Sequence, residues 1–130
     1  MRLQLENNIF VAQIDTLGAE LCSLLRKDSG EEFVWQGDER YWAGHAPTLF
    51  PITGKLKDLR FEYNEKNYEL PPHGFAKERE FFVQSHTKTC VAVSYTHLVV
   101  NNVVVTLVIC EIKIMYKLFC AATFVDIEKK

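Results

Sequence analysis

What most restricts this chain is how briefly any apolar pattern lasts. Through the first ninety residues, period-two alternation runs for a few residues and is then closed by a turn signal. Leu3-Gln-Leu-Glu6 alternates, Asn7-Asn8 makes a turn, and Ile9 to Ile14 resumes as a hairpin partner. Thr16 to Leu25 follows, with Gly18 allowing a bend or bulge before the strand. Arg26 to Glu32 is a solvated turn and Phe33-Val-Trp35 a short buried run. Asp38 is placed to cap a single helical turn over Gly37–Trp42. Arg60 to Leu70 is a hairpin turning at Asn64–Asn67, with Phe61, Tyr63, Tyr68 and Leu70 sharing faces. Glu80–Gln84 returns to strand. The expected class is all-β, with charged and Gly/Pro-rich loops between strands.

Two stretches interrupt this pattern. Gly44 to Asp58 holds two prolines and two glycines around an apolar centre, and Pro71-Pro72-His73-Gly74-Phe75 breaks the sheet again. Proline removes ladder donors and constrains its predecessor, while glycine tolerates backbone close to a ligand. All six glycines lie between Gly18 and Gly74 and all four prolines between Pro47 and Pro72. Phe75 to Lys130 contains neither, so the chain joins two unlike stretches.

At 130 residues the chain has room for one core and is too short for two comfortable domains. Fifteen Lys and Arg against seventeen Asp and Glu leave a net charge of −2. That balance argues against nucleic acid or an anionic membrane surface as partner. The first residues have no apolar core of a signal peptide, and Val99–Val125 is interrupted by Glu111, Lys113 and Lys117. A cytoplasmic location without a membrane span is expected. Cys22, Cys90, Cys110 and Cys120 are widely spaced and suit neither a disulfide framework nor a zinc site. Buried free thiols are expected.

No phosphate loop, nucleophile elbow or zinc-protease helix motif is present. What remains is a concentration of polar groups on or beside the Gly/Pro loops: His45, Lys55, Lys57, Asp58, His73 and Lys77. Loops on a rigid β scaffold are where binding groups tend to sit. His73 is the most suggestive of them, because imidazole exchanges protons near neutral pH. Trp35, Tyr41 and Trp42 offer faces for a sugar ring, or else pack in the core.

Four ordered pieces carry a resemblance: Gly18–Leu24, Phe33–Asp38, Tyr41–Asp58 and Tyr68–Phe81. Through these the sequence resembles the aldose 1-epimerase (galactose mutarotase-like) family, in particular the branch with His-Gly-Phe-Ala followed by Arg or Lys. The resemblance implies the N-terminal part of a large antiparallel β-sandwich, truncated, with the sugar site in a cleft on the sheet. It implies interconversion of the α and β anomers of an aldose, free or phosphorylated, by acid/base ring opening and without a metal or organic cofactor. His73 matches the first family histidine, the catalytic candidate, which holds the sugar near its ring oxygen. Lys55 stands where a family arginine contacts sugar hydroxyls, and Lys77 where a hexose-phosphate-specific relative carries arginine. Lysine in both places removes bidentate recognition. His45 joins them as a substrate-binding candidate.

The family's second histidine and catalytic glutamate lie far downstream. His97 and Glu111 are the right residue types but sit in no matching motif. The expected division is therefore residues 1–92 as a partial mutarotase-like domain and 93–130 as an unmatched tail. Val93-Ser-Tyr-Thr-His-Leu98 resembles the in-frame translation of a transposon-end sequencing adapter, which makes the tail artefactual or out of frame. The competing expectation is a genuine strand pair, Val103–Ile109 and Ile112–Phe119. On function, the alternative to an isomerase that is inactive as this piece is a non-catalytic sugar-binding or structural relative.

Overall fold

A computed structural model describes residues 1–97, 103–110 and 121–124. Among these, nine strands and two short 3-10 turns account for the regular structure, and the all-β expectation holds. Strands β1 (Arg2–Glu6), β2 (Phe10–Asp15) and β3 (Glu20–Arg26) form an antiparallel three-stranded sheet in sequence order. The Asn7-Asn8 turn closes because Asn7 Oδ1 accepts the Ile9 and Phe10 N–H groups at 2.8 and 2.7 Å. Between β2 and β3 the register passes from Gln13–Ser23 to Ile14–Leu21, so Cys22 is the extra residue of a bulge.

The second sheet is antiparallel and runs β6 (Phe82–His86), β7 (Cys90–His97), β8 (Val103–Cys110), β9 (Ala121–Phe124). Between the sheets in sequence lies a separate hairpin, β4 (Arg60–Tyr63) and β5 (Lys66–Glu69). Its turn is tighter than the sequence implied. Asn64 and Glu65 both adopt left-handed backbone, at φ 48 and 61°, which makes a two-residue connection matched to strand twist. Phe61 and Tyr68 face each other in register and stack at 5.3 Å.

Alternation is what builds the core. Leu3 and Leu5 of β1, Ala12 and Ile14 of β2, and Val91, Val93 and Tyr95 of β7 are buried in one cluster with Ala19, Ala76 and Phe81. Each fully buried Leu, Ile or Val side chain is worth about 1.5–3 kcal/mol. The sixth strand starts at Phe82 rather than Glu80 because the preceding residues are spent joining the sheets. Leu17 bridges Glu80, Gly18 N–H donates to Arg79 O at 2.7 Å, and Phe81 N–H to Thr16 O at 2.9 Å. On the other edge of β1, Glu6 N–H donates to Lys88 O at 2.7 Å. The Glu6 carboxylate accepts from Lys88 and Lys27, which hold its pKa below the usual carboxylate range.

Three expectations need correction. Phe33 and Trp35 are not buried: each is nearly half exposed, since no described strand covers that run. Cys22 is a buried free thiol as expected, but Cys90 is disulfide-bonded. The register of β7 with β8 sets the Cys90 backbone opposite that of Cys110. The third concerns Trp35, Tyr41 and Trp42, of which core packing was one reading; all three are exposed. The Asp38 turn forms, with Tyr41 and Trp42 N–H both donating to Asp38 O at 2.9 Å. The division after residue 92 falls inside β7, whose Val93 and Tyr95 side chains are core. Of the competing strand pair, 103–109 lies in β8, while 112–119 and Glu111 lie outside the described residues. No helix among the described residues is long and apolar enough to cross a membrane.

Candidate functional site

The two Gly/Pro segments fold onto each other. Phe50 O accepts the N–H groups of Phe75 and Ala76 at 3.0 and 3.3 Å, and a parallel bridge joins Phe50 to Gly74. Gly74 sits at φ +74°, and a Cβ there would lie 2.0 Å from Phe50 O. Only glycine combines that backbone with that approach. Edge-to-face contacts then carry the loops onto the core: Phe50 on Phe75 at 6.2 Å, Phe75 on Tyr95 at 6.3 Å.

His73 is presented at the surface by this arrangement. Its φ of 67° is left-handed, a strained choice for a residue with a Cβ, and strain of this kind gathers at functional sites. Two bonds hold it there. The backbone N–H donates to Gly54 O at 2.8 Å, and ring Nδ1 lies 2.7 Å from Thr53 O. A carbonyl oxygen only accepts, so Nδ1 carries the hydrogen and Nε2 is the ring nitrogen not committed to that bond.

The same folding brings other candidates close. Lys77 Nζ donates to Pro72 O at 3.4 Å, next in sequence to His73. Lys55 adjoins Gly54 and is exposed. Lys57 and Asp58 form a short 3-10 turn with Leu59, both exposed. His45 makes its contacts elsewhere, with β3. Its N–H donates to Glu20 Oε1 at 2.9 Å, and its Nδ1 lies 4.0 Å from Glu20 Oε2.

A second polar and aromatic region flanks β3. Glu32 Oε1 accepts the Leu24 and Val34 N–H groups at 2.8 and 2.9 Å, and Oε2 accepts the Ser23 hydroxyl at 2.5 Å. Partial burial raises the Glu32 pKa, but Ser23, Leu24 and Val34 outweigh it and the net shift is downward. This anchors Phe33–Gln36, where Trp35 Nε1 donates to Trp42 O at 2.8 Å and the Trp35 ring meets Tyr41 edge-on at 6.3 Å. An open depression of about 570 Å³ runs along Glu32–Gln36 and Asp38. None of His45, Lys55, Lys57, His73 or Lys77 lines it. Sequence reading missed Glu20 and Glu32. A carboxylate two residues before Cys22 on a strand was the available signal for Glu20; Glu32 gave none, lying in a stretch read as a solvated turn.

Paired antiparallel sheets that carry a strained, carbonyl-locked histidine on interlocked Gly/Pro loops define a mutarotase-like β-sandwich. Residues 1–106 match the family model described as aldose 1-epimerase, and the chain belongs to that family. The match runs past residue 92. Among curated relatives, the chain is 35% identical over 99 residues to the protein LacX, chromosomal, of Lactococcus lactis subsp. lactis, covering 72% of this chain and 33% of that protein. The chain thus spans about a third of the length of the curated relatives it matches. A galactose mutarotase related enzyme from Lactobacillus acidophilus superposes with a TM-score of 0.80 at 33% identity, over 83% of this chain and 38% of that one. A galactose mutarotase-like protein from Lactobacillus casei gives 0.79 at 31%, over 83% and 39%.

Proposed function

We propose that this chain supplies the first part of a sugar site that interconverts the α and β anomers of an aldose. The observation that carries the reading is His73, held in left-handed backbone with Nδ1–H on Thr53 O. In ring opening the O1–H bond breaks and C1=O1 forms, while the C1–O5 bond breaks and O5 takes a proton. An imidazole whose Nδ1 is committed offers one nitrogen, Nε2, to the ring oxygen. That nitrogen donates a hydrogen bond there when the ring is protonated. Lys77 and Lys55 stand beside it as donors to sugar hydroxyls or to a phosphate, as point charges rather than forks. His45 belongs to the same substrate-binding proposal at its outer limit, since its contacts are with Glu20. Proton removal from O1 needs a second group, and no described residue is paired with His73 to serve. The 130-residue chain alone is therefore expected to bind sugar without turning it over.

The test is NMR on freshly dissolved α-glucose and α-galactose, with and without a 6-phosphate. Saturation transfer from protein to sugar, weakened by His73→Ala, with anomer exchange at the buffer rate, is expected. No transfer at millimolar sugar would overturn the binding site. Exchange faster than buffer and abolished by His73→Ala would overturn the inactivity of this piece.

A further inference from the structure

We propose that Glu20, Cys22 and His45 form a binding site for a divalent transition-metal ion of the zinc class. One donor atom from each residue lies within 4.8 Å of the other two. The convergence follows from backbone geometry. Leu21 of β3 forms an antiparallel bridge with Ala46, and antiparallel register then sets His45 across from Cys22, with Glu20 one step away. The Cys22 thiol already meets Glu20 there, its Sγ donating to Glu20 O at 3.4 Å.

The donor set is selective. Thiolate, imidazole and carboxylate together suit zinc and its neighbours, whereas calcium and magnesium want oxygen alone. Around a tetrahedral zinc, with bonds near 2.0–2.3 Å, ligand atoms stand about 3.3–3.6 Å apart. The His45 Nδ1 to Glu20 Oε2 separation is 4.0 Å and every pair lies within 4.8 Å, so closure draws the donors together by up to about 1.5 Å. Three protein ligands leave a fourth position for water.

The surroundings resemble those of a held site. Cys22 is 3% exposed, and the side chains of His45 and Glu20 are 17% and 22% exposed. Glu20 Oε1 is occupied by the His45 N–H, which orients Oε2 toward the other donors. Gln36 Nε2 donates to Cys22 O at 3.0 Å, and the His45 ring packs on Gly37, where an added Cβ would sit 3.2 Å from Cε1. Such outer partners fix ligand orientation. Binding exchanges the Cys22 S–H bond for a metal–sulfur bond and releases the proton to solvent. The ion ties β3 to the segment that continues into Phe50, and through Phe50 O to the His73 loop.

The experiment uses the whole 130-residue chain, stripped with a chelator and titrated with cobalt(II), then with zinc against a chromophoric chelator. One equivalent bound and a near-ultraviolet thiolate-to-cobalt charge-transfer band are expected. Cys22→Ser should remove the band. His45→Gln and Glu20→Gln should keep it at saturating cobalt while weakening zinc by more than the roughly 10–100-fold typical of losing an outer partner. No band in the stripped chain overturns the site, as does a band that survives Cys22→Ser or an affinity unchanged in His45→Gln. Should Cys22→Ser lose its far-ultraviolet circular dichroism, the two Gln variants decide alone.

Discussion

Replacing Gly74 with alanine tests whether the two Gly/Pro loops hold each other. The new Cβ would lie 2.0 Å from Phe50 O and 2.7 Å from Pro51 Cδ. Carbon and carbonyl oxygen ordinarily approach to about 3.3 Å, so the loops must part by more than an ångström. That movement breaks the Phe75 and Ala76 N–H bonds to Phe50 O, each worth about 1 kcal/mol net. Left-handed backbone with a Cβ adds about 1–2 kcal/mol, for a total of about 3–4 kcal/mol. Two further substitutions separate these contributions. Gly30 has φ +70° with nothing within 4 Å of an added Cβ, so Gly30→Ala carries the backbone cost alone, about 1–2 kcal/mol. Gly54 has neither a left-handed φ nor a neighbour within 4 Å, and Gly54→Ala should be neutral or stabilise by up to about 1 kcal/mol. Urea unfolding followed by the fluorescence of Trp35 and Trp42 reads all three. With a slope of about 1.5–2 kcal/mol per molar, Gly74→Ala should lower the midpoint by about 2 M. A midpoint for Gly74→Ala equal to that of the parent, or above that of Gly30→Ala, would refute the interlock.

Glu32→Ala should cost about 2–3 kcal/mol by stranding the Leu24 and Val34 N–H groups. Because the folded Glu32 pKa is lowered, its contribution is complete above the ordinary value near 4.3 and fades as pH falls through the folded value. The urea midpoints of parent and variant should therefore converge in acid, and a constant gap would count against the carboxylate. Phe61→Ala removes the stack on Tyr68, about 0.5–1.5 kcal/mol, and should raise amide exchange in β4 and β5 while leaving β1–β3 unchanged.

Much of the sandwich was legible because a strand writes itself in period two. Leu3 and Leu5 could be set on one face from their alternation, and Asn7 in a turn from its side-chain chemistry. Isolated apolar triplets carry no such phase, so Phe33-Val-Trp35 looked buried although nothing described covers it. The Cys90 disulfide is a long-range contact that the wide spacing of the four cysteines does not specify. His73 stood out as a histidine between prolines and glycine. That its Nδ1 is committed to Thr53 O comes from a contact across twenty residues, which local sequence does not encode. The same holds for His45 and Glu20, joined through the Leu21–Ala46 bridge.

The β4–β5 hairpin is bracketed on both sides by that interlock. The chain is pinned at Phe50 and Gly54 before it and at His73 to Ala76 after it, while Arg60–Tyr63 and most of β5 remain exposed. Length and composition can therefore change inside the bracket without moving the histidine. The hairpin is a cassette: the place where a new loop could be grafted onto an unchanged interlock.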